Sequence, residues 1–517
     1  MGFATQPPLL PEIFALHAKW RSVDAAVCVD NSIWTWAEFM ADCHQFGHGL
    51  RAIGLMEGDR VGILMSNGYP MLQVIFGAIA AGCVVVPVNL SVSDAAAGAM
   101  FEDAQTKVIV ASEDLQCRLI DICALLQASP VLIGERSQPG LRSITDVCLE
   151  QSVEQPPVVL EAGSLINIIY SSGTTGVPKG IAHSHAGRRD WAADLAIALR
   201  YHGGARTLLT IGLYSNISWV AMLATLLAGG CIYVEKKFNE GQFIELVTKH
   251  KITHTAMVPI QFQRVIDALI DHPTADLSSM QAMMSCGSPL RENLKQQIFS
   301  RFPCGVIELY GLTEGIITTL EPEHAEGRWS SVGRPLIGTD ICVLDDQDCV
   351  VGPNTAGEIC SRGRIAMPSY WRRPEADLAA TFIDPDGHIW LRSGDIGYFD
   401  HEGFLFIVDR KKDMILSGGQ NIFPQDIEAV LVNHDAVFDA AIIGLSSEKW
   451  GETPVALVVK REGCESSCAE LKAWLNNRVG KQQRVSDVIF IDELPRNPNG
   501  KILKRELREQ YRDRHYG

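Results

Sequence analysis

The chain has 517 residues, which exceeds one ordinary domain and predicts at least two. Hydrophobic residues make up 47% of it and charged residues 21%, a composition typical of a globular protein with a large core. The formal net charge of −16 argues against general binding to nucleic acid or to an anionic membrane surface. An anionic ligand would therefore need a local cluster of positive groups.

Strand and helix signals alternate along the chain up to about residue 310. Residues 35–38 read T-W-A-E, a capping box that predicts the start of a helix ending near Gly54. The alternation predicts an α/β fold with mostly parallel sheets and flanking helices. Strands are expected at 61–65, 83–86, 108–111, 165–169, 207–211, 231–234, 253–258, 282–285 and 306–310, and helices at 93–101, 217–227, 243–250, 262–270 and 290–302.

One apolar segment, residues 71–88, is close to the minimum length for a membrane span. Gly82 interrupts it and Pro87 ends it. The pattern therefore favours a buried helix followed by a buried parallel strand, and no integral membrane protein is expected.

The pattern changes after about Gly333 to short strands with Gly and Pro turns, which predicts a β-rich subdomain. A compact α+β piece is expected from about Asp413 onward. The fourteen cysteines form no C-x-x-C pair, and the closest two, Cys464 and Cys468, lack a histidine cluster, so zinc is not expected. The termini carry no targeting pattern, which predicts a reduced, cytoplasmic enzyme.

Residues 170–180 read Y-S-S-G-T-T-G-V-P-K-G and follow a predicted strand. Glycines let backbone N–H groups turn inward on an anion, hydroxyls add donors and a lysine adds positive charge. The stretch is not a Walker loop, because Pro178 precedes the lysine and Gly180 follows it. A polar surface loop is the plain alternative. The phosphate-binding candidates are Ser171, Ser172, Gly173, Thr174, Thr175, Gly176 and Lys179.

Two further motifs follow predicted strands, where ligands bind in open α/β sheets. Residues 285–289 read S-C-G-S-P, and residues 310–315 read Y-G-L-T-E-G. The Thr313 hydroxyl can donate to a phosphate oxygen while the Glu314 carboxylate contacts a hard cation such as Mg²⁺. Taken alone, the first is also an ordinary β–α turn and the second a common helix start.

The C-terminal part carries four more motifs. Residues 390–395 read W-L-R-S-G-D, and the Asp395 carboxylate can accept hydrogen bonds from two ribose hydroxyls. Residues 409–413 read D-R-K-K-D, which alone would be a solvated charge run. Adjacent glycines in 417–422, S-G-G-Q-N-I, suit the close approach of a thin ligand. Residues 494–502 read L-P-R-N-P-N-G-K-I.

Together and in this order, the motifs closely resemble those of the adenylate-forming superfamily, which includes acyl-CoA synthetases, firefly luciferase and peptide-synthetase adenylation domains. The resemblance runs from about residue 53 to Arg508. It implies a two-step ligase reaction: an acid and MgATP give acyl-AMP and pyrophosphate, and a thiol then displaces AMP. It also implies an N-terminal domain, 1–411, with the ATP and acyl sites, and a small mobile C-terminal domain, 412–517.

The resemblance assigns roles to individual residues. The expected catalytic residues are Lys501, Thr313 and Glu314, with Glu314 as the magnesium ligand. In addition to the phosphate loop and these residues, the implied ATP-binding residues are Gly287, Ser288, Tyr310, Asp395 and Arg410. The implied hinge between the domains is Lys412. The implied coenzyme A-binding residues are Ser417, Gly418 and Gly419.

The acyl pocket is expected along residues 210–219, where Tyr214-Ser215 replaces the aromatic–His pair of many relatives. The Asp with which amino-acid-activating relatives hold the ammonium is absent here, which argues against amino acids. An apolar aryl, arylpropenoate, alicyclic or medium-chain acid fits. Asn216 could bind a polar group of the substrate or serve the structure. The predicted pocket residues are Tyr214, Asn216, Trp219, Met257 and Ile316.

Coenzyme A is the expected acceptor, because only sixteen residues follow Lys501 and they include no carrier domain. The alternatives are acyl transfer to a separate carrier protein, luciferase-like oxidation, and a catalytically silent nucleotide- or coenzyme A-binding regulator. The presence of all the motif cations and carboxylates argues against the regulator. His183 and His185 form an H-x-H pattern that is expected to be structural. The oligomeric state stays open, with a homodimer considered.

Overall fold

The computed structural model describes residues 7–171, 179–418, 420–496 and 500–516. The chain divides into two compact units. The first unit comprises Met1–Trp329, Pro335–Asp340 and Arg362–Leu391, and the second comprises Ser330–Arg334, Ile341–Ser361 and Arg392–Gly517. The domain boundary expected at residue 412 stays a prediction.

The helices occur throughout the chain. They are α1 (Leu10–Trp20), α2 (Trp36–Ala52), α3 (Tyr69–Ala80), α4 (Asp94–Asp103), α5 (Gln116–Cys123), α6 (Ile144–Cys148), α7 (His185–Ala198), α8 (Asn216–Ala228), α9 (Glu240–His250), α10 (Pro259–Ala268), α11 (Glu292–Arg301), α12 (Pro322–Ala325), α13 (Pro374–Ala379), α14 (Pro424–Leu431), α15 (Cys468–Asn476) and α16 (Lys504–Gln510).

The strands up to residue 311 are β1 (Ala25–Val29), β2 (Ser32–Thr35), β3 (Arg60–Leu64), β4 (Val84–Pro87), β5 (Thr106–Ala111), β6 (Val131–Gly134), β7 (Arg142–Ser143), β8 (Leu165–Ser171), β9 (Lys179–Ser184), β10 (Arg206–Leu209), β11 (Cys231–Val234), β12 (His254–Met257), β13 (Ala282–Ser285) and β14 (Ile307–Gly311). The later strands are β15 (Ile317–Leu320), β16 (Arg334–Pro335), β17 (Thr339–Leu344), β18 (Gly357–Gly363), β19 (Ser369–Tyr370), β20 (Thr381–Ile383), β21 (Ile389–Phe399), β22 (Leu405–Arg410), β23 (Ile415–Ser417), β24 (Gln420–Ile422), β25 (Val437–Ser447), β26 (Gly451–Lys460) and β27 (Asp487–Phe490).

Two sheets form the framework of the first unit. One follows the order β15-β14-β13-β12-β10-β11-β1-β2, and the other follows β19-β9-β8-β4-β3-β5-β6-β7. The pairs from β14 through β13, β12, β10 and β11 to β1 are parallel, as are those joining β8, β4, β3, β5 and β6. Because parallel sheets need helices on their faces, this arrangement confirms the predicted α/β class.

The apolar segment 71–88 forms most of α3 followed by β4. Strand β4 pairs parallel with β3, with Val85 opposite Val61, and both strands are buried. Among the described residues, no helix combines the length and the apolar character that crossing a membrane requires. The prediction of a buried helix and strand is therefore confirmed.

The predicted capping box opens α2. The Thr35 hydroxyl accepts a hydrogen bond from the Glu38 backbone N–H at 3.3 Å, and the Glu38 carboxylate accepts one from the Thr35 backbone N–H at 2.9 Å. Further along, α2 packs closely on α3: a Cβ at Gly77 would lie 2.6 Å from the Cys43 carbonyl oxygen. Glycine is therefore required where these two helices cross.

A buried ion pair joins α11 to β14. Lys295 and Glu308 contact each other, and the exposed fractions of their side chains are only 2% and 9%. The Lys295 ammonium also donates to the Trp329 carbonyl oxygen at 2.5 Å, and Glu308 accepts from the Leu290 backbone N–H at 3.2 Å. Burial raises the pKa of Glu308, and the Lys295 charge opposes that rise. The ion pair therefore fixes β14 to α11, and the last two residues of β14 are Tyr310 and Gly311.

The second unit contains strands of two smaller sheets, one that includes β17, β18, β21 and β22 and another formed by the C-terminal strands. Strand β21 crosses the boundary between the units, and from Asp395 onward it pairs antiparallel with β22. The C-terminal strands follow the order β24-β23-β26-β25, with β27 parallel to β26. Helices α14 and α15 contribute Ile427, Leu431, Leu471 and Leu475 to its core. This confirms the small α+β piece expected after residue 413.

Replacing Lys295 with methionine should lower the free energy of unfolding by about 3–5 kcal/mol, because Glu308 would stay buried without its counter-charge. The measurement is urea denaturation followed by tryptophan fluorescence. Lys236→Met is the matched control: Lys236 pairs with Asp30 at 2.8 Å, but both side chains are exposed, so it should cost less than about 1 kcal/mol. Equal effects of the two substitutions would contradict this account of the buried pair.

Candidate active site

The two ends of the candidate phosphate loop face each other in a β-hairpin. Strands β8 and β9 pair antiparallel, and Ser171 at the end of β8 lies opposite Lys179 at the start of β9. The candidates Ser172, Gly173, Thr174, Thr175 and Gly176 lie outside the described residues. The hairpin therefore holds the first and last candidates of the loop next to each other.

Lys179 and Glu314, from two distant motifs, contact the same tyrosine. The Lys179 ammonium lies 5.1 Å from the centre of the Tyr370 ring, and the Tyr370 hydroxyl donates to the Glu314 Oε1 atom at 3.0 Å. Tyr370 reaches this place because β19 pairs with β9, with Tyr370 opposite Ile181. Burial and the nearby Glu314 carboxylate raise the Tyr370 pKa, so the hydroxyl stays a donor. No local sequence motif marks Tyr370, because its role depends on partners from distant parts of the chain.

The T-E-G sequence after β14 forms a tight turn. The Leu312 backbone N–H donates to the Ile316 carbonyl oxygen at 3.0 Å, and that of Gly315 donates to the Leu312 carbonyl oxygen at 3.1 Å. Gly315 has a φ of 119°, and a Cβ there would lie 2.6 Å from the Ala366 Cα atom. Glycine is thus needed both for the conformation and for the close approach. Thr313 and Glu314 in this turn are partly buried, as is Tyr310 near the end of β14.

Asp103 anchors the strand that leads into the phosphate loop. The Tyr170 hydroxyl donates to the Asp103 Oδ2 atom at 2.6 Å, and the Arg373 guanidinium donates to its Oδ1 atom at 2.6 Å. The Trp371 indole N–H donates to the Asp103 backbone carbonyl oxygen at 3.0 Å. Asp103 is the last residue of α4, far from these partners in sequence, which is why sequence patterns could not find it.

The S-C-G-S-P motif connects β13 to the chain before α11. Ser285, the last residue of β13, is buried, whereas Gly287 is exposed and Ser288 partly buried. Gly287 has a φ of 96°, in the left-handed region that favours glycine. The motif therefore turns sharply at the carboxyl end of a parallel strand, the place where ligands bind in open α/β sheets.

Asp395, Arg410 and Lys501 lie together in the second unit. Asp395 on β21 is opposite Arg410 on β22, and the Arg410 Nε atom lies 3.2 Å from the Asp395 Oδ1 atom. Burial lowers the pKa of Lys501 to about 7, the Arg410 charge acts in the same direction and the Asp395 charge opposes it. Three motifs that are separated in sequence thus supply one cluster of charges.

The residues expected at the hinge and the coenzyme A tunnel also belong to the second unit. Lys412 is exposed in the turn after β22, and Ser417 ends β23. Gly418 has a φ of 58°, and its backbone N–H donates to the Trp450 carbonyl oxygen at 2.8 Å. Gly419 lies outside the described residues.

Two family models match the chain. The AMP-binding enzyme model matches residues 14–371, and the AMP-binding enzyme C-terminal domain model matches residues 426–501. The first match alone covers more than half of the chain. The chain belongs to the AMP-binding enzyme family.

Similar proteins agree with this membership over nearly the whole length. The long-chain-fatty-acid–CoA ligase FadD13 of Mycobacterium tuberculosis is 31% identical over 481 residues, which cover 92% of this chain and 93% of FadD13. The 2-succinylbenzoate–CoA ligase of Geobacillus kaustophilus is 30% identical over 477 residues, covering 92% of each chain. The crystal structure of ATP-bound MatB from Rhodopseudomonas palustris superimposes with a TM-score of 0.87 at 26% identity, covering 97% and 99% of the two chains. The predicted superfamily, its fold class and the AMP-forming ligase class are confirmed.

The residues predicted for the acyl pocket of this AMP-binding enzyme differ in exposure. Trp219, Met257 and Ile316 are fully buried, and the Trp219 indole N–H donates to the Leu213 carbonyl oxygen at 2.9 Å. Tyr214 and Asn216 are partly exposed. Only these two therefore present surface to a ligand in this structure, and the pocket assignment stays a prediction.

A buried polar network lies beside Asn216. The Arg188 guanidinium donates through Nε to the Asn167 Oδ1 atom at 2.9 Å, and through Nη2 to the His183 Nδ1 atom at 3.2 Å and the Asn216 Oδ1 atom at 2.8 Å. The Asn167 amide N–H donates to the same His183 Nδ1 atom at 3.1 Å. Burial and the Arg188 charge hold the His183 pKa well below its usual value.

The two histidines of the H-x-H pattern have different environments. The His183 Nε2–H donates to the Thr313 carbonyl oxygen at 2.9 Å, so both ring nitrogens of His183 bind protein groups. His185 is fully buried, and among the described residues its ring nitrogens have no hydrogen-bond partner. Burial lowers the His185 pKa to about 4.

Glu235 is a buried carboxyl group that no sequence motif marks. It follows β11 and is only 3% exposed, and within the described chain neither of its carboxylate oxygens has a hydrogen-bond partner. The Asn67 amide N–H donates to the backbone carbonyl oxygens of Glu235 and Ile211, both at 3.1 Å. Glu235 thus lies at the carboxyl ends of the parallel strands, beside the segment expected to form the acyl pocket.

Burial raises the pKa of Glu235 to about 7, above its ordinary value of 4.5. The folded state therefore favours the protonated carboxyl group, and it loses stability as the pH rises through 7. Glu235→Gln should raise the free energy of unfolding by about 2–3 kcal/mol at pH 8 and change it little at pH 5. Denaturation at the two pH values measures this, with the exposed Glu245→Gln on α9 as control. A gain that is the same at both pH values would rule out the titration.

Proposed function

We propose that this AMP-binding enzyme is an ATP-dependent carboxylate–CoA ligase. It activates an apolar aryl, alicyclic or medium-chain acid as acyl-AMP with release of pyrophosphate, and then forms the acyl-CoA thioester and AMP. The observation that carries the proposal is the clustering of motif residues that are distant in sequence: Lys179 and Glu314 on Tyr370 in the first unit, and Asp395, Arg410 and Lys501 in the second.

The acceptor and the acid have different degrees of support. The names of the ligases from Mycobacterium tuberculosis and Geobacillus kaustophilus both give coenzyme A as the acceptor. Their acids differ, a long-chain fatty acid in one and 2-succinylbenzoate in the other. We therefore extend coenzyme A to this chain and take the apolar class of acid from its own pocket residues.

Acyl transfer from a free carboxylate needs a better leaving group than oxide, and AMP supplies one. The work of the protein in the first step is to position the acid and ATP and to neutralise phosphate charge. Lys179 supplies a cation at the end of the phosphate loop, and the Thr313 hydroxyl is a donor for the α-phosphate. Ser171, Gly287, Ser288 and Tyr310 complete the proposed ATP site, together with loop residues outside the described chain.

Mg²⁺ fits the donor set at Glu314, because a carboxylate oxygen is a preferred ligand of this hard cation. One carboxylate oxygen of Glu314 accepts the Tyr370 hydroxyl, which orients the group. When bound, the ion would supply positive charge to the phosphates. By contacting both, Tyr370 positions Glu314, the proposed metal ligand, relative to Lys179, the proposed phosphate cation.

In the second unit, Asp395 and Arg410 are the proposed ribose-binding residues, and Lys501 is the cation that bridges the carboxylate and the phosphates. Asp395 is almost fully buried, so its carboxylate is held in one orientation by β21 and by Arg410. The lowered pKa of Lys501 reflects burial beside Arg410, and a phosphate anion close to Lys501 would favour its charged form. Lys412 remains the proposed hinge, and Ser417, Gly418 and Gly419 the proposed lining of the coenzyme A tunnel.

A pyrophosphate-release assay with ATP, Mg²⁺ and coenzyme A tests the function over aryl, alicyclic and straight-chain acids. We expect release with one class of acid and thioester formation that requires coenzyme A. Adenylation without a thioester on coenzyme A would favour a carrier-protein acceptor. ATP binding without pyrophosphate release from any acid would contradict the ligase and favour the silent regulator.

Lys501→Ala should lower the rate of acyl-AMP formation by about 10²–10³-fold or more, because it removes a cation that stabilises the transition state. Thioester formation from supplied acyl-AMP should be largely retained. The two half-reactions are measured separately, by pyrophosphate release and by thioester formation. Lys481→Ala, at an exposed position of the same unit, is the control and should leave both unchanged. Equal loss of the two half-reactions in Lys501→Ala would remove Lys501 from this role.

A further inference from the structure

Within the part of the chain that the structure describes, the guanidinium group of Arg188 is buried in the first unit without a carboxylate partner. Arg188 on α7 is only 1% exposed, and among the described residues its hydrogen-bond partners, Asn167, His183 and Asn216, are all neutral. Two aromatic rings also lie close to it: the guanidinium carbon is 4.5 Å from the Trp191 ring centre and 5.3 Å from that of Trp219. Buried charges are ordinarily paired, so this one leaves a positive potential around it.

The guanidinium also determines which way the Asn216 amide faces. Arginine has only donors, so the group that accepts from Arg188 Nη2 must be the Asn216 carbonyl oxygen. The Asn216 NH₂ group then faces away from Arg188. Asn216 is partly exposed, and within the described residues its NH₂ group has no hydrogen-bond partner. The network thus presents an amide donor to a ligand.

The position of Asn216 at the start of a helix also favours an anionic ligand. It is the first residue of α8, a helix of 13 residues whose preceding residue, Ser215, accepts a hydrogen bond from the Ile217 backbone N–H at 3.3 Å. The N-terminus of a helix carries partial positive charge and favours an anion. The buried Arg188 charge, the helix terminus and the amide donor all favour an oxygen with negative charge at the same place.

The network connects this place to the proposed adenylation site. His183, which accepts from Arg188 through Nδ1, donates through Nε2 to the Thr313 carbonyl oxygen at 2.9 Å. Two side chains, Arg188 and His183, therefore span the interval between Asn216 and the turn that holds Thr313 and Glu314. An acid whose reacting carboxylate lies near Thr313 could place a remote group near Asn216.

We propose that Asn216, oriented by Arg188, is a specificity-determining residue that selects acids with a second oxygen acceptor, a carboxylate or a carbonyl oxygen, remote from the reacting carboxylate. This inference rests on the proposed ligase function and narrows its substrate class. The body of the acid stays apolar, since Tyr214 is the other partly exposed residue of the predicted pocket. A second carboxylate should be preferred to a neutral carbonyl, because the group behind Asn216 is a cation.

The test compares acids that differ only at the remote end: a straight-chain monocarboxylic acid, the ω-keto acid and the dicarboxylic acid of the same carbon number, and an aryl series built in the same way. Pyrophosphate release gives kcat/KM for each acid. In each series the oxygen-bearing acid of the right length should exceed its plain counterpart by about tenfold to a hundredfold. Comparing the keto acid with the dicarboxylic acid separates the contribution of hydrogen bonding to kcat/KM from the contribution of charge.

Asn216→Asp is the decisive variant. It keeps an oxygen that accepts from Arg188 but replaces the outward NH₂ donor with a second acceptor oxygen. The preference for the oxygen-bearing acid, measured as a ratio of kcat/KM values within one series, should fall at least about tenfold. Asn216→Ser, which lacks both amide groups, should also lose the preference and covers the case in which the first variant does not fold. Asn293→Asp, exposed on α11, is the matched control and should keep the ratio.

Equal kcat/KM values within every series of the natural chain, with pyrophosphate released, would overturn the subsite and leave the ligase function standing. An unchanged ratio in both folded Asn216 variants would do the same. Absence of pyrophosphate release from every acid would overturn the ligase function and the subsite together.

Discussion

The antiparallel pairing of β8 with β9 is the constraint on which the proposed site in the first unit depends. It sets Ser171 opposite Lys179 at the two ends of the phosphate loop. The other edge of β9 pairs with β19, so that Tyr370 reaches both Lys179 and Glu314. Two consecutive antiparallel pairs, β8–β9 and β9–β19, thus let one tyrosine connect the loop to a motif far along the chain. Asp103 reinforces the hairpin by accepting the Tyr170 hydroxyl.

Buried ionisable side chains occur in two arrangements in the first unit. Lys295 and Glu308 form a buried pair, whose desolvation cost is offset by mutual attraction and by hydrogen bonds to backbone groups. Arg188 and Glu235 are buried without a partner of opposite charge among the described residues. Unpaired buried groups of this kind lower stability, and they tend to occur where a ligand binds. Both lie next to the segment expected to contact the acid.

The sequence predicted the type of most elements correctly because its patterns are local. The capping box at residues 35–38, the apolar segment that became α3 and β4, and the short strands β11 and β13 follow from neighbouring residues alone. The motifs also indicated the family, which the family models confirm. Tyr370, Asp103, Arg188 and Glu235 escaped notice, because each gains its significance from a partner on another element.

By itself, the sequence determined the alternation of strands and helices, the two-part organisation and the order of motifs that place this chain among the AMP-binding enzymes. These properties depend on hydrophobic periodicity and on turn residues, which act over a few positions. Only the tertiary structure decided that Asp395 faces Arg410, that Tyr370 joins Lys179 to Glu314 and that Arg188 orients Asn216. Such contacts arise from strand pairing and helix packing between distant residues, which no local pattern records.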